Sequence, residues 1–246
     1  MFETAITYLT DSDDGVETIL VGGILTLFSW LLLPAIVVAG YLQRVLVRTN
    51  AGETAPSFDD WGGLFREGLK AIAVALAYLA VPAILLVAVI ASVVIVSVET
   101  TVVTDPTTVA EPVTNVGPDP LTVLVVFGSL ALAAVTSLVA WYALPAALAR
   151  LAVEDRLGAA FEFRKIASVV TDGGYVTGWL LALVVLVIGG ALVGALASVP
   201  IVGWALAPFA VFYANVIAFA LYGMGYRDAT RTGRRDSVDG DSQVSA

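Results

Sequence analysis

Long apolar stretches alternate with short polar ones along this chain, and the apolar stretches carry no Asp, Glu, Lys or Arg over lengths that a soluble core does not require. Thr18 to Gln43 is 26 residues without a charge, Ala71 to Val98 is 28 and Pro120 to Ala149 is 30. Each exceeds the roughly 20 residues a helix needs to cross a hydrocarbon core. A fourth interval, Gly173 to Tyr226, has 54 residues, and Ser198-Val199-Pro200 followed by Gly203 divides it. Proline and glycine there end one helix and let the chain reverse. The pattern predicts an all-α, polytopic transmembrane helical bundle of five spans near 17–42, 70–98, 121–150, 175–198 and 203–225. A single membrane domain over 1–227 and a polar, disordered tail over 228–246 complete the expected organisation.

Two polar connections read as amphipathic interfacial helices on the cytoplasmic side. In residues 57–70, Ser57 and Asp60 have capping-box spacing, Phe58, Trp61, Phe65 and Leu69 share one face, and Arg66 and Lys70 approach the headgroups. Asp59 and Asp60 read first as carboxylates complementing a helix N-terminus; a cation or partner site is the sharper alternative. In residues 154–166, Arg156, Arg164 and Lys165 bring three bases to the membrane surface, opposed by Glu154, Asp155 and Glu162. Retention of a cationic loop explains those bases without specific lipid recognition, which stands as the alternative. Between the second and third spans, residues 99–120 are rich in Thr and Pro and read as an extended, solvated loop.

Charge distribution adds a topology. All 12 basic residues lie in three clusters, Arg44 to Lys70, Arg150 to Lys165 and Arg227 to Arg235, and cationic loops stay cytoplasmic. Five spans then put the N-terminus outside and the C-terminus in the cytoplasm. An N-terminus inside would require the first apolar run, which contains Gly22-Gly23 and Pro34, to be re-entrant. Residues 1–15 hold no Lys or Arg, so the cationic start of a cleavable signal peptide is missing and the first span is expected to stay in the cell membrane.

Composition narrows the chemistry. Apolar residues make up 59% of the chain and charged ones 13%, against about half and a quarter in soluble domains. With no His and no Cys, imidazole and thiolate chemistry are excluded, and no cofactor or metal is expected. The net charge of −9, with Arg outnumbering Lys ten to two, suits a host living in concentrated salt. No Asp, Glu, Lys or Arg lies deep within a span, which weighs against a pump or a carrier of charged substrates.

Within the spans Asn215 is the strongest polar side chain, expected to fasten neighbouring helices by an interhelical hydrogen bond. Gly190 with Gly194, and Ala214 with Ala218, provide close-approach faces. Pro34, Pro82, Pro145 and Pro208 are candidate kinks, read as packing features first and as the frame of a solute site second. Leu33-Pro34-Ala35 and Leu144-Pro145-Ala146, each followed by bases and a polar connection, suggest a weak internal repeat.

Three blocks carry a family resemblance: 58–65 (Phe-Asp-Asp-Trp-Gly-Gly-Leu-Phe), 144–150 with 158–164 downstream, and the ending Pro208-Phe209, Phe212-Tyr213 and 222–227. Together they resemble the domain of unknown function 4013 family of archaeal, largely haloarchaeal, integral membrane proteins. That resemblance implies a multi-pass archaeal membrane protein and brings no catalytic residue with it. The expected function is a non-enzymatic structural, lipid-interacting or accessory membrane subunit; the alternative is a transporter or channel for a neutral or apolar solute. Expected partners are membrane lipids and either further copies of the chain or other membrane subunits, with no role for nucleic acid.

Overall fold

The computed structural model describes residues 1–12, 14–99 and 120–244. Among them all regular structure is helical: α1 (Phe2–Ile6), α2 (Gly15–Leu27), α3 (Leu32–Ala51), α4 (Trp61–Glu99), α5 (Pro120–Glu154), a 3₁₀ turn (Leu157–Phe161), α6 (Phe163–Val170), α7 (Gly173–Ala197) and α8 (Val202–Val244). Five of these, α3, α4, α5, α7 and α8, are long and apolar enough to cross a membrane. The expected loop over 99–120 and Asp13 lie outside the described residues, apart from the terminal positions Glu99 and Pro120.

Four expected spans correspond to α4, α5, α7 and α8. The reversal between α7 and α8 falls where Pro200 places it, and the Trp204 indole N–H closes it by donating to the Ala197 carbonyl at 3.1 Å. The three prolines Pro82, Pro145 and Pro208 lie inside α4, α5 and α8.

The first expected span, 17–42, is instead two helices. α2 has 13 residues, about 20 Å of rise, and ends at a turn over 28–31 before α3 begins. Pro34 explains the site of the break. In a continuous helix it would leave the Trp30 carbonyl without a donor and crowd it; with α3 starting at Leu32, it sits in the first turn, where no amide is needed. α2 then folds back on α3. The Thr18 side chain lies beside the Tyr41 hydroxyl, and these two residues are equally distant in sequence from the middle of the turn.

Both arms pack on α8, whose Phe212 and Phe209 rings lie over Gly22 and Gly23, where a β-carbon would find no space. α3 runs parallel to α8: Tyr41 meets Phe212 at 5.5 Å between ring centroids, and Arg227 donates to the Thr49 carbonyl at 3.3 Å.

This hairpin changes the expected placement of the chain start. Tyr8 feels the charges of Arg48 and Glu53, and Asp14, Glu17 and Thr18 share a cavity with Ser57, Phe58, Asp59 and Trp61. Residues 1–18 therefore lie at the same end of α3 as the 52–60 connection, where the sequence reading had put them on opposite faces of the bilayer.

The interfacial helices also take another form. Residues 57–60 are not helical, and α4 begins at Trp61 and continues without interruption past Lys70, so the first is the opening of a spanning helix. The second is the 3₁₀ turn followed by the eight-residue α6. Residues 228–244, expected as a disordered tail, carry helical backbone, since extending an already nucleated helix costs little.

The chain divides into two compact units, Met1–Ala75 with Tyr142–Ala246, and Leu76–Trp141. In the first, the buried core gathers at the charged end, with Tyr41, Val45, Leu46, Leu64, Val74, Ala146, Tyr175, Phe212 and Leu221 nearly inaccessible. In the second, Val89, Ala133 and Ala140 are buried while Leu76, Ile84, Leu121, Leu124 and Phe127 are exposed, as befits side chains whose solvent is lipid.

Candidate functional site

The polar chemistry concentrates at the charged end of the first unit, where α3 and α5 finish and α4 and α7 start. Arg44, on the last turns of α3, anchors the start of α4. Its Nε donates to Glu67 at 2.8 Å, and its Nη2 reaches Glu67 at 3.2 Å and the Asp60 carboxylate at 2.8 Å. Asp60 also accepts the Gly63 amide at 2.9 Å. It is thus the N-cap of α4, one turn later than the Ser57 cap expected from spacing; Ser57 turns its hydroxyl to Asp59 instead. The Gly63 amide first and the Arg44 guanidinium second hold the Asp60 carboxyl below the usual range.

A second fastening joins α4 to the chain leaving α5, with Lys70 Nζ 2.7 Å from Asp155. Hydrogen bonding and charge from Lys70 keep the Asp155 carboxyl low. The backbone at Asp155 is left-handed, φ 48°, and turns the chain into the 3₁₀ segment.

The third is a closed network around Arg150, which is 5% exposed. Its Nε donates to the Ala159 carbonyl at 3.1 Å and its Nη2 to Glu162 at 2.8 Å and to Glu154. Arg156 pairs with the same two carboxylates, at 3.0 Å for Glu162, and Lys165 lies 2.7 Å from Glu162. Lys165 first and Arg156 next depress the Glu162 carboxyl to about 2.

Aromatic rings line the other side. Phe58 stacks on Tyr41 at 4.4 Å and 12° and stands 6.0 Å from Trp61. Phe58 therefore turns inward, away from the membrane-facing stripe expected of it. Trp61, Phe65 and Leu69 remain exposed at 49%, 37% and 51%. Beyond the Arg150 network, Tyr142 donates to the Val170 carbonyl at 2.6 Å and Tyr175 to the Tyr142 carbonyl at 2.7 Å, which seats α5, α6 and α7 on one another.

The expected site residues thus separate. Asp60 and Arg66 converge on the α3–α4 junction, where Arg66 acts on Asp60 and Asp155 through its charge and makes no ion pair among the described residues. Asp59 faces the cavity shared with Asp14 and Glu17. Arg156 and Lys165 are engaged by glutamates, leaving Arg164 exposed.

Among the described residues Asn215 bonds its own helix and does not bridge to another: its Nδ2 donates to the Val211 carbonyl at 2.8 Å. Gly190 and Gly194 face open space, whereas Gly178 against Gly225 and Gly189 against Ala214 make the close approach of α7 to α8.

Sequence reasoning missed Gln43, Arg44, Glu67 and Arg150. Their one local signal was position, since Gln43 and Arg44 close the first charge-free interval and Arg150 closes the third.

Among the described residues, cavities open at this end. One of about 310 Å³ is framed by α3, the start of α4 and the end of α5. Another of about 420 Å³ is lined by Asp14, Glu17, Ser57, Asp59 and Trp61, and a third of about 570 Å³ by Arg150, Lys165, Asp172 and Thr230.

A family model described as protein of unknown function (DUF4013) matches residues 27–198, more than half of the chain. No curated protein and no solved structure matches it.

Proposed function

The chain belongs to this DUF4013 family, and we propose that it is a non-enzymatic structural or accessory subunit of the cell membrane of a salt-adapted archaeon, with its working surface at the charged end. The observation that carries this reading is how the ions there are spent. Arg44 ties α3 to α4, Lys70 ties α4 to the end of α5, and Arg150, Arg156 and Lys165 hold the next connection closed. A carboxylate whose lone pairs are filled by neighbouring guanidinium groups is a fastener and has no proton to move near neutrality. The acidic, Lys-poor composition supports the salt-adapted host.

Beside these fasteners, apolar side chains are exposed to the surroundings: Trp61, Phe65 and Leu69 on α4, and Phe163, 65% exposed, next to Arg164 on α6. Aromatic rings flanked by a cation suit the headgroup layer or the flank of another membrane subunit. The retention of cationic segments supports a cytoplasmic position for this end. With residues 1–18 and the 52–60 connection at that same end, the α2–α3 hairpin is re-entrant. α4, α5, α7 and α8 then make four complete crossings, and both chain ends are cytoplasmic. Among the described residues, the cavities at the charged end are not lined by Pro34, Pro82, Pro145 or Asn215, so they give the carrier alternative no support.

Photo-crosslinking residues placed at positions 61, 163 and 215 in native membranes test the proposal. Adducts from 61 and 163 with lipid or membrane protein are expected, and none from 215 with a small solute. A reproducible solute adduct at 215, or capture at 61 and 163 of water-soluble proteins alone, contradicts it.

A further inference from the structure

Gln43 is 4% exposed, and neither atom of its carboxamide finds a protein partner among the described residues. An amide buried in that state is costly, because the desolvation of both its donor and its acceptor goes uncompensated. The cost disappears if a ligand pairs with them. Gln43 lines the cavity of about 310 Å³ at the α3–α4 junction, the lower end of the size range of small-molecule sites.

The remaining wall shows what that ligand offers. Glu67 is already engaged by Arg44 and Asp155 by Lys70, so those carboxylates have little left to give. Arg66 lines the same cavity and makes no ion pair among the described residues. Arg48 is held only loosely, 3.9 Å from Glu53, with 42% of its side chain exposed. The unspent valences are therefore donors from Arg66, Arg48 and the Gln43 amide, with the Gln43 carbonyl and the loosely held Glu53 carboxylate as acceptors.

We infer that this cavity binds a phosphate ester carrying a free hydroxyl, of the glycerol phosphate type. Guanidinium groups from α3 and α4 and the Gln43 N–H meet the phosphate oxygens, and the ligand hydroxyl donates to the Gln43 carbonyl. Val47 and Ala152 supply the apolar wall against which the carbon skeleton lies. Three arginines and three carboxylates line the cavity, so its formal charge is zero. Directional donors, and not a long-range field, select this ligand.

The ester can be a lipid headgroup or a soluble metabolite, and the test separates the two. Only the lipid source rests on the membrane orientation proposed above; the soluble arm examines the cavity itself. Full-length protein, delipidated in detergent, is titrated with sn-glycerol 3-phosphate and, separately, moved into phosphatidylcholine nanodiscs with and without phosphatidylglycerol. A ligand-dependent rise in Tm of roughly 5 °C at saturation is expected with at least one of these phosphate esters. Response to the soluble ester identifies a metabolite site, and response to phosphatidylglycerol alone a lipid site.

Arg66→Gln weakens the response at least about tenfold. Gln43→Met raises Tm without ligand, because an orphaned amide is removed, and cancels the response. Phosphorus NMR line broadening of the ester by wild-type protein reads binding without any variant. The inference is overturned if neither ester shifts Tm nor broadens the resonance, or if wild type and both variants respond alike.

Discussion

The Tyr213 hydroxyl on α8 donates to the Ile6 carbonyl at 2.7 Å, joining the first helix to the last across 207 positions of sequence. This contact belongs with the α2–α3 hairpin, since the antiparallel run of α2 and α3 keeps α1 towards the end where α3 finishes, beside α8. Tyr213→Phe removes one neutral hydrogen bond and is expected to cost about 1 kcal/mol. Hydrogen exchange of residues 2–9 quickens while that of α7 is unchanged; equal acceleration in both would mean that the bond supports the whole bundle and not the chain start.

Arg150 and Arg156 bind the same two glutamates from different environments. Arg150 is almost fully buried, while 56% of the Arg156 side chain is exposed. Arg150→Ala leaves partly buried carboxylates and the Ala159 carbonyl without their shared donor, a loss of about 3 kcal/mol. Arg156→Ala costs much less than Arg150→Ala, as exposed pairs do. Thermal unfolding of the two variants in the same detergent gives the comparison, and equal losses would refute the burial argument.

The Glu162 carboxyl titrates near 2 in the folded chain, below the ordinary 4.5. A depressed carboxylate pKa adds stability above the unfolded value and loses it as pH falls through the folded one. The connection between α5 and α7 is therefore expected to loosen as pH drops from about 4.5 to about 2, read by limited proteolysis at 155–163. Glu162→Gln flattens that dependence over this window. An unchanged profile in the variant would assign the acid sensitivity to other carboxylates.

A methyl group at Gly178 would stand 2.7 Å from the Leu221 carbonyl oxygen and 2.9 Å from the Gly225 Cα, whereas at Gly190 it would meet nothing within 4 Å. Gly178→Ala is expected to destabilise by about 1–3 kcal/mol through overpacking. Gly190→Ala is expected to be neutral, or stabilising by up to about 1 kcal/mol through helix propensity. Tm measurements of both variants check the contrast, and the reverse order would mean that the two helices meet through the other glycine face.

How much of this was legible depended on whether the information was local. The lengths of the charge-free runs and the Pro200 break locate α4, α5, α7 and α8 because a bilayer imposes a minimum length on any crossing. The first run satisfied the same length rule and still broke, since the rule carries no term for Pro34 or for the seats that Gly22 and Gly23 offer to Phe212 and Phe209. Residues 1–15 hold no base, so charge bias could not report their side.

The ion pairs were hidden for a related reason. Arg44 with Glu67, and Lys70 with Asp155, are 23 and 85 positions apart, and only the packed structure selects among the available carboxylates. Asn215 misled because a polar side chain in a helix can bond its own turn as readily as a neighbour. For the glycines, one position of register separates Gly189, in contact with Ala214, from Gly190, which faces away.

The chain has no cysteine, so single-cysteine variants at Asp11, Glu53 and Ile201, which is 80% exposed in the α7–α8 turn, can be labelled without background in intact cells and in inside-out vesicles. The proposed re-entrant hairpin predicts that 11 and 53 are labelled only in inside-out vesicles and 201 only in intact cells. Labelling of position 11 together with 201 from outside the cell, and of 53 only from within, would contradict the hairpin topology.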